Sequence, residues 1–379
     1  MSKGQKKVVV AMSGGVDSSV AAALLKRQGY DAIGVFMRLG SPKGVEPAVD
    51  HAGRKQGCCS VGDSIDARRV AQMLDMPFYV LNFEEDFGRV IEYFVAEYNA
   101  GRTPNPCVRC NDWLKFGRLT QYAEAVGAEF VASGHYARIG TDPVSGEPAL
   151  LRGVDKGKDQ SDVLFGMKKE LLAHTLLPIG EFKKSDVRAM ALEMGLPVFD
   201  KPDSQEICFV PDQDYVGLLK RTSPDSMREG EFVSTDGKVM GRHDGHQGFT
   251  IGQRKGLRIA VGKPVYVVDI NAETNRVTLG DRPHLLRSGL LAGKLNILSE
   301  RLSVGEWIRC SVKIRHSHDP APARARVNEE GKLEVNFDEP QTAITPGQAV
   351  IAYDGDVLLG GGWIEQALED SKVPRKEGV

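Results

Sequence analysis

The stretch Ser13-Gly14-Gly15-Val16-Asp17-Ser18-Ser19 lies where an apolar run, Val8 to Met12, gives way to an amphipathic one, Val20 to Leu25. A strand therefore feeds a helix at this point. Two glycines let the turn's backbone come close to a ligand. The N–H groups that open the helix, with the hydroxyls of Ser13, Ser18 and Ser19, offer donors to an anion. A phosphate chain is the natural guest, and Asp17 is the carboxylate within the turn that could hold an accompanying magnesium ion. No lysine follows the glycines as in a Walker loop, and the GxGxxG dinucleotide pattern is missing, which weakens the usual ATPase and dehydrogenase readings.

A second set of reactive groups is the cysteines. In Gly101-Arg102-Thr103-Pro104-Asn105-Pro106-Cys107-Val108-Arg109-Cys110-Asn111 two prolines fix the backbone just before a helix start, and a helix N-terminus with Arg109 nearby favours Cys110 as a thiolate. The same Cys-X-X-Cys could be half of a zinc site completed by Cys58, Cys59 or a histidine, although no second such pair is present. Cys208 lies in the polar loop Ser204-Gln205-Glu206-Ile207-Cys208-Phe209-Val210, after Asp200-Lys201-Pro202-Asp203. Cys58, Cys59 and Cys310 read as structural.

Further polar loops could meet a ligand. Gly134-His135-Tyr136-Ala137-Arg138 follows an apolar strand and reaches the same end of the sheet as the Ser13 turn. Lys158-Asp159-Gln160 and Gly252-Gln253-Arg254-Lys255-Gly256 suit phosphate-backbone contacts. Arg315, His316 and His318, with Arg324 and Arg326, form the most concentrated basic cluster.

The elements that must position these groups alternate as a parallel α/β sheet with helices on both faces requires. Strands are expected at Val8 to Met12, Asp31 to Met37, Phe78 to Phe83 and Phe130 to Ala132; helices at Ser64 to Leu74, Phe87 to Tyr98 and Asp112 to Val126. A long polar excursion, Ser41 to Gly62, interrupts them. From about Leu150 come a hairpin and helices at Lys168 to His174, Lys184 to Met194 and Gln213 to Arg221. Alternating short runs then suggest a small central module and a C-terminal β-barrel with strands at Ile308 to Ile314, Lys332 to Phe337 and Ala349 to Tyr353, followed by a charged tail from Glu365. These textures divide the chain at 1–210, 211–287 and 288–379. With 379 residues, 41% of them hydrophobic and 26% charged, the chain can bury a sizeable core. It has no apolar run of eighteen and no signal-peptide core, so a cytoplasmic location without membrane contact is expected. A net charge of −2 leaves any nucleic-acid binding to local patches.

The SGGVDSS string resembles the pyrophosphatase loop of ATP pyrophosphatases, which split ATP between the α and β phosphates and leave an adenylated substrate. A poor leaving group such as a ring-carbonyl oxygen thereby becomes AMP, which a nucleophile can displace. Two separated thiols beside such a loop are what sulfur transfer needs, one carrying a persulfide and the other releasing its sulfur through a disulfide.

The ordered set SGGVDSS, GRTPNP (101–106), SGHYAR (133–138), KDQS (158–161), SQEICF (204–209), FTIGQRKGL (249–257) and TPGQ (345–348) is similar to the bacterial tRNA-specific 2-thiouridylases over nearly the whole chain. That resemblance implies a pyrophosphatase-type domain, a small central domain and a tRNA-contacting barrel. It implies ATP and magnesium bound by Ala11, Met12, Ser13, Gly14, Gly15, Val16, Asp17, Ser18, Met37 and Gly134, with no permanent metal. Cys110 would be the nucleophile and Cys208 the persulfide carrier. Asn105, Pro106 and Cys107 would meet the target base, and His135, Lys158, Asp159, Gln160, Arg315, His316 and Gln348 the tRNA. The product would be 2-thiouridine at the wobble position, by family in tRNAs for Lys, Glu and Gln, with a cysteine desulfurase or sulfur-relay protein as donor. Family members commonly carry an aspartate where this chain has Cys107, which leaves the general base open. An amidating ligase with the same loop, and a non-catalytic RNA-binding protein with zinc-bound cysteines, are the alternative readings.

Overall fold

The computed structural model describes residues 5–40, 60–203, 207–210, 214–259 and 262–369. Cys58, Cys59 and Ser204 to Glu206 lie outside them, as does most of the excursion between 41 and 62. The chain divides into two compact units. One comprises Met1–Ile91, Pro106–Asp214 and Asp356–Leu358, the other Glu92–Asn105, Tyr215–Gly355 and Leu359–Val379.

The first unit is built on strands β1 (Lys7–Ala11), β2 (Asp31–Arg38), β3 (Phe78–Asn82), β4 (Phe130–Ser133) and the short β7 (Thr175–Leu176), interleaved with helices α1 (Val16–Arg27), α2 (Val61–Met73), α5 (Leu119–Ala125) and α6 (Lys184–Glu193). They pair in parallel in the order β3-β2-β1-β4-β7. Strands covered on both faces read as continuous apolar runs, and Val8, Val9 and Val10 are fully buried. One core cluster joins Val8 and Val10 to Val20 and Leu25 of α1, Ala67 and Val70 of α2, and Val187 and Ala191 of α6. Helix α5 packs on β1 and β4 outside that cluster. The order reverses at β1, so the loops after β1 and β4 flank the crevice where doubly wound sheets bind ligands. The antiparallel hairpin of β5 (Ala137–Thr141) and β6 (Pro148–Arg152) completes the unit, and Val357 pairs with Leu151 at its edge.

Helix α3 (Glu84–Asn99) runs from the first unit into the second. The helix expected at Asp112 to Val126 begins earlier. Pro106 occupies the first position of α4 (Pro106–Arg109), where its missing N–H costs nothing, and the helix continues as a π-helix, Cys110–Arg118, into α5. In that stretch the N–H of Leu119 donates to the carbonyl of Leu114, five residues back. The expected helix at Lys168 to His174 is a 3-10 helix, Lys169–His174.

In the second unit, α7 (Tyr215–Thr222) precedes a four-stranded sheet of β8 (Gly230–Ser234), β9 (Val239–His243), β10 (Tyr266–Asn271) and β11 (Arg276–Gly280), in the order β10-β11-β8-β9. Its core is Phe232, Val267, Val277 and Leu279. Strands β12 (Leu286–Ile297), β13 (Ile308–Lys313), β14 (Ala321–Val327), β15 (Leu333–Thr342), β16 (Ala349–Asp354) and β17 (Val357–Leu368) follow in the order β12-β15-β14-β13-β16-β17, and β12 pairs back on β17 to close a barrel. The tail expected from Glu365 is strand as far as Leu368, because Gln366 and Ala367 pair with Leu291 and Leu290. No helix among the described residues is long and apolar enough to cross a membrane.

Phe36, 1% exposed in the β2 core, tests this packing. Phe36→Ala should lower the unfolding free energy by about 3–5 kcal/mol in urea denaturation, the usual loss for an aromatic truncated in a close-packed interior. A loss below about 1 kcal/mol would contradict the packing described.

Candidate active site

The turn between β1 and α1 is shaped by close backbone approaches. Gly14 has φ +76°, and a Cβ there would lie 2.2 Å from the carbonyl oxygen of Asp63 in α2. A Cβ at Gly134, just after β4, would lie 2.6 Å from Asp17 C and Ser18 N. Only glycine permits both contacts. The Ser13 N–H donates to Ser18 Oγ at 3.1 Å, and the Ser19 hydroxyl donates to the Gly15 carbonyl at 2.8 Å, so these hydroxyls brace the turn. The donors left for an anion are the first N–H groups of α1, which have no partner within the helix. Ser13 is exposed at its mouth, whereas Ala11, Met12, Val16 and Met37 are buried beneath it.

Charged residues ring the turn. Lys184 Nζ lies 2.8 Å from both oxygens of Asp17 and 2.9 Å from Oδ1 of Asp203, and the Tyr136 hydroxyl donates to Asp17 Oδ1 at 2.7 Å. Burial, reinforced by Asp17, pushes the Tyr136 hydroxyl far above its ordinary range and keeps it a donor. Lys201 donates to the Gly14 carbonyl at 3.0 Å, to Asp63 at 2.6 Å and to Asp66 at 2.9 Å. Asp63 also closes a capping box with Ser60 at the start of α2. A magnesium ion on Asp17 would have to share that carboxylate with Lys184 or replace it. Among the described residues no group of three or more His, Cys, Asp or Glu could hold a metal ion, and Cys58 and Cys59, which the zinc reading would recruit, lie outside them.

Cys107, Cys110 and Cys208 all belong to the first unit. The early helix start changes the argument for Cys110. Cys107 stands in the first turn and is exposed, whereas Cys110 is half-buried a turn further on, at the head of the π-helix. The dipole effect expected for Cys110 falls within the first turn, on Cys107. The π-helix is held by Asn111, whose side chain is buried and donates to the Val163 carbonyl at 3.0 Å, and by the Trp113 ring, with the Arg89 and Arg109 guanidinium groups 5.2 and 5.1 Å from its centroid. Burial raises the Asp112 carboxyl despite Arg109 beside it. Cys208 is half-buried in a turn closed by the Val210 N–H and the Ile207 carbonyl, with Phe209 set edge-on against Phe87 at 5.6 Å.

The residues expected to meet RNA fall into different environments. Lys158 is partly exposed and pairs with Asp203 at 2.9 Å. Asp159 is buried, accepting from Arg152, the Gly153 N–H and Ser161, and Gln160 accepts from the Tyr136 N–H. His135 is 6% exposed, between the Ser133 hydroxyl at Nδ1 (2.7 Å) and Lys115 Nζ at Nε2 (3.3 Å). Burial, then Lys115, holds its imidazole well below the ordinary range, so the ring is neutral; an ammonium can only donate, which places the ring proton on Nδ1. In the second unit Gln348 donates to the Thr103 and Pro104 carbonyls at 3.2 and 2.9 Å, and the Thr103 N–H donates to the Pro346 carbonyl. The TPGQ turn thus carries the GRTPNP loop up to Asn105, whose N–H reaches the Tyr93 hydroxyl. Arg315 donates to Thr342, and His316 is exposed.

The chain matches, in series, the families described as tRNA methyl transferase HUP domain (residues 6–212), tRNA methyl transferase PRC-barrel domain (217–281) and Aminomethyltransferase beta-barrel domain (287–364). It is 49% identical over 367 residues to the tRNA-specific 2-thiouridylase MnmA of Carboxydothermus hydrogenoformans, covering 96% of this chain and 99% of that one. The same named protein of Clostridioides difficile is 49% identical over 364 residues (96% and 99% covered), and that of Geotalea uraniireducens 48% over 365 (96% and 96%). The chain belongs to the tRNA-specific 2-thiouridylase family, as the sequence resemblance implied.

Sequence reasoning passed over Lys184, and it quoted Tyr136 and Lys201 only within their loops without giving either a role. The one signal was position: Lys184 is a cation in the first turn of α6, where helices disfavour one.

The buried imidazole has a thermodynamic signature. Unfolded His135 takes a proton as pH falls below about 6.5, the ordinary value, whereas the folded ring does not, so its share of stability is complete above that pH and is lost progressively below it. Between pH 6.5 and 5.5 the wild type should lose about 1 kcal/mol more than His135→Asn, by denaturation at each pH. Parallel losses would contradict the neutral imidazole.

Proposed function

We propose that the protein thiolates tRNA at C2 of the wobble uridine in the cytoplasm, with ATP as activator. ATP sits with its phosphates at the Ser13 to Ser18 turn, the uridine C2 oxygen attacks the α phosphate, and pyrophosphate leaves. The terminal sulfur of a persulfide on Cys208, charged by a cysteine desulfurase or relay protein, then replaces AMP at C2. Cys110 then attacks the Cys208 sulfur of the resulting C2–S–S–Cys208 link, which breaks that S–S bond, leaves sulfur on C2 and forms a Cys110–Cys208 disulfide that external thiol reduces. The observation that carries this reading is membership of the 2-thiouridylase family over 96% of the chain. The turn's glycine-only approaches and its ring of lysines suit a phosphate guest. The matched domain descriptions speak of methyl transfer, but separate thiols in the same unit as a turn suited to phosphate fit sulfur transfer.

Magnesium would screen the phosphates, and Asp17 would hold it once Lys184 yields an oxygen. Lys158, Arg315 and His316 are the proposed RNA-facing residues. Buried His135 and Asp159 support the surrounding loops, and Gln348 holds the loop that ends in Asn105 and leads to Pro106 and Cys107. The division at 1–210, 211–287 and 288–379 is proposed as functional, and the three matched ranges follow it closely.

The test separates activation from sulfur delivery. Asp17→Ala should abolish tRNA-dependent pyrophosphate release. Cys208→Ser should keep that release but lose the persulfide, read by mass spectrometry after incubation with a desulfurase. Cys110→Ser should keep both and lose thiolation by on the order of 10³-fold or more. If Cys110→Ser thiolates normally and Cys107→Ser does not, the nucleophile is Cys107, the residue in the helix's first turn.

A further inference from the structure

Lys184 stands where helix electrostatics do not favour it. It follows the N-cap Lys183 as the first residue of α6, and a cation there opposes the helix dipole. Two carboxylates hold it. Its Nζ lies 2.8 Å from each oxygen of Asp17 and 2.9 Å from Asp203 Oδ1, with the Tyr136 ring centroid 5.6 Å away. Asp17 belongs to the anion-cradling turn, whereas Asp203 comes from a distant part of the sequence.

Asp203 is ringed by cations. Besides Lys184 it accepts from Lys158 Nζ at 2.9 Å and Arg188 Nη2 at 2.7 Å, and its side chain is 24% exposed against 13% for Lys184. Burial works to raise this carboxyl, but the hydrogen bonds from Lys158 and Lys184 outweigh it and hold the group well below its usual range. Three cations converging on one small anion is also how a protein holds a phosphate oxygen. Here a side chain occupies that position, beside the turn.

We propose that Lys184 is a phosphate-binding residue of the nucleotide site and that Asp203 is its internal counter-anion, displaced from Lys184 when nucleotide phosphate enters the Ser13 turn. The inference rests on the ATP reading of that turn and adds the cation its motif lacks. In a Walker loop the lysine comes from the loop itself; here it reaches in from the start of a later helix. Displacement is inexpensive because Asp203 keeps Lys158 and Arg188 when Lys184 leaves, and because Asp17 continues to orient the ammonium. By linkage, whatever Asp203 gains from Lys184 in the empty site is subtracted from nucleotide affinity.

The experiment titrates the full-length protein with a non-hydrolysable ATP analogue by calorimetry. Removing the competing anion in Asp203→Asn should tighten binding by about three- to tenfold, and Lys184→Met should weaken it by about tenfold or more, the usual weight of a charge-assisted hydrogen bond. Lys184→Arg should keep most of the affinity. Because the gain in Asp203→Asn passes through Lys184, the double variant Asp203→Asn with Lys184→Met should bind no more tightly than Lys184→Met alone. Should Lys184→Met fail to fold, Asp203→Asn decides. Unchanged or weaker binding by Asp203→Asn, unchanged binding by Lys184→Met, or a double variant that keeps the tightening would overturn the inference while wild-type binding upholds the ATP reading. A wild type that does not bind the analogue overturns both.

Discussion

The first unit depends on how closely three stretches of main chain approach one another. At Gly14 the turn after β1 lies against the Asp63 carbonyl of α2, and at Gly134 the exit of β4 lies against Asp17 and Ser18, each at a distance that leaves no room for a Cβ. These approaches lock the turn after β1 between the start of α2 and the end of a neighbouring strand. Lys201 then joins the Gly14 carbonyl to Asp63 and Asp66, making the same contact electrostatic as well as steric. A turn so confined has little freedom to lose when an anion arrives, which is the condition for binding through preorganised main-chain donors.

Much of this could be read from the sequence because it rests on local signals. Val8 to Met12 and Val20 to Leu25 announce strand and helix by periodicity, the two glycines announce the turn, and the ordered motifs place the chain in its family. What could not be read is what arises between distant residues. Nothing local marks Lys184 as the partner of Asp17, 167 residues away. Gln348 looks like an exposed amide in a turn until Thr103 and Pro104 are seen to present their carbonyls to it. His135 and Asp159 carry polar labels that suggest surface, yet each has enough partners to be buried. The helix start was placed late for a local reason: the prolines read as fixing the backbone ahead of the helix, whereas Pro106 is itself the first helical residue.

Charge shows the same contrast between whole and part. A net charge of −2 says nothing about the partners. Around the turn Asp17, Asp63, Asp66 and Asp203 each pair with a lysine, so under the proposed reading a ligand phosphate enters by exchange with one of them. Under that proposal, recognition of an anion is a reordering of existing ion pairs, with smaller desolvation than bare lysines would demand.

The three residues Asp356–Leu358 have a consequence for how such a protein can be inherited. They lie at the start of β17, a barrel strand, yet they belong to the first unit. Asp356 takes hydrogen bonds from Arg138 and Lys156 at 2.6 Å each, its carbonyl receives the Arg152 N–H, and Val357 pairs with Leu151. The sheet edge that holds the SGHYAR and KDQS segments is thus finished only when the last strand begins. A ribosome releasing this chain N-terminus first leaves the first unit without this edge partner until the barrel's last strand begins. Neither half can be swapped between genes by a single crossover without cutting a strand that the other needs.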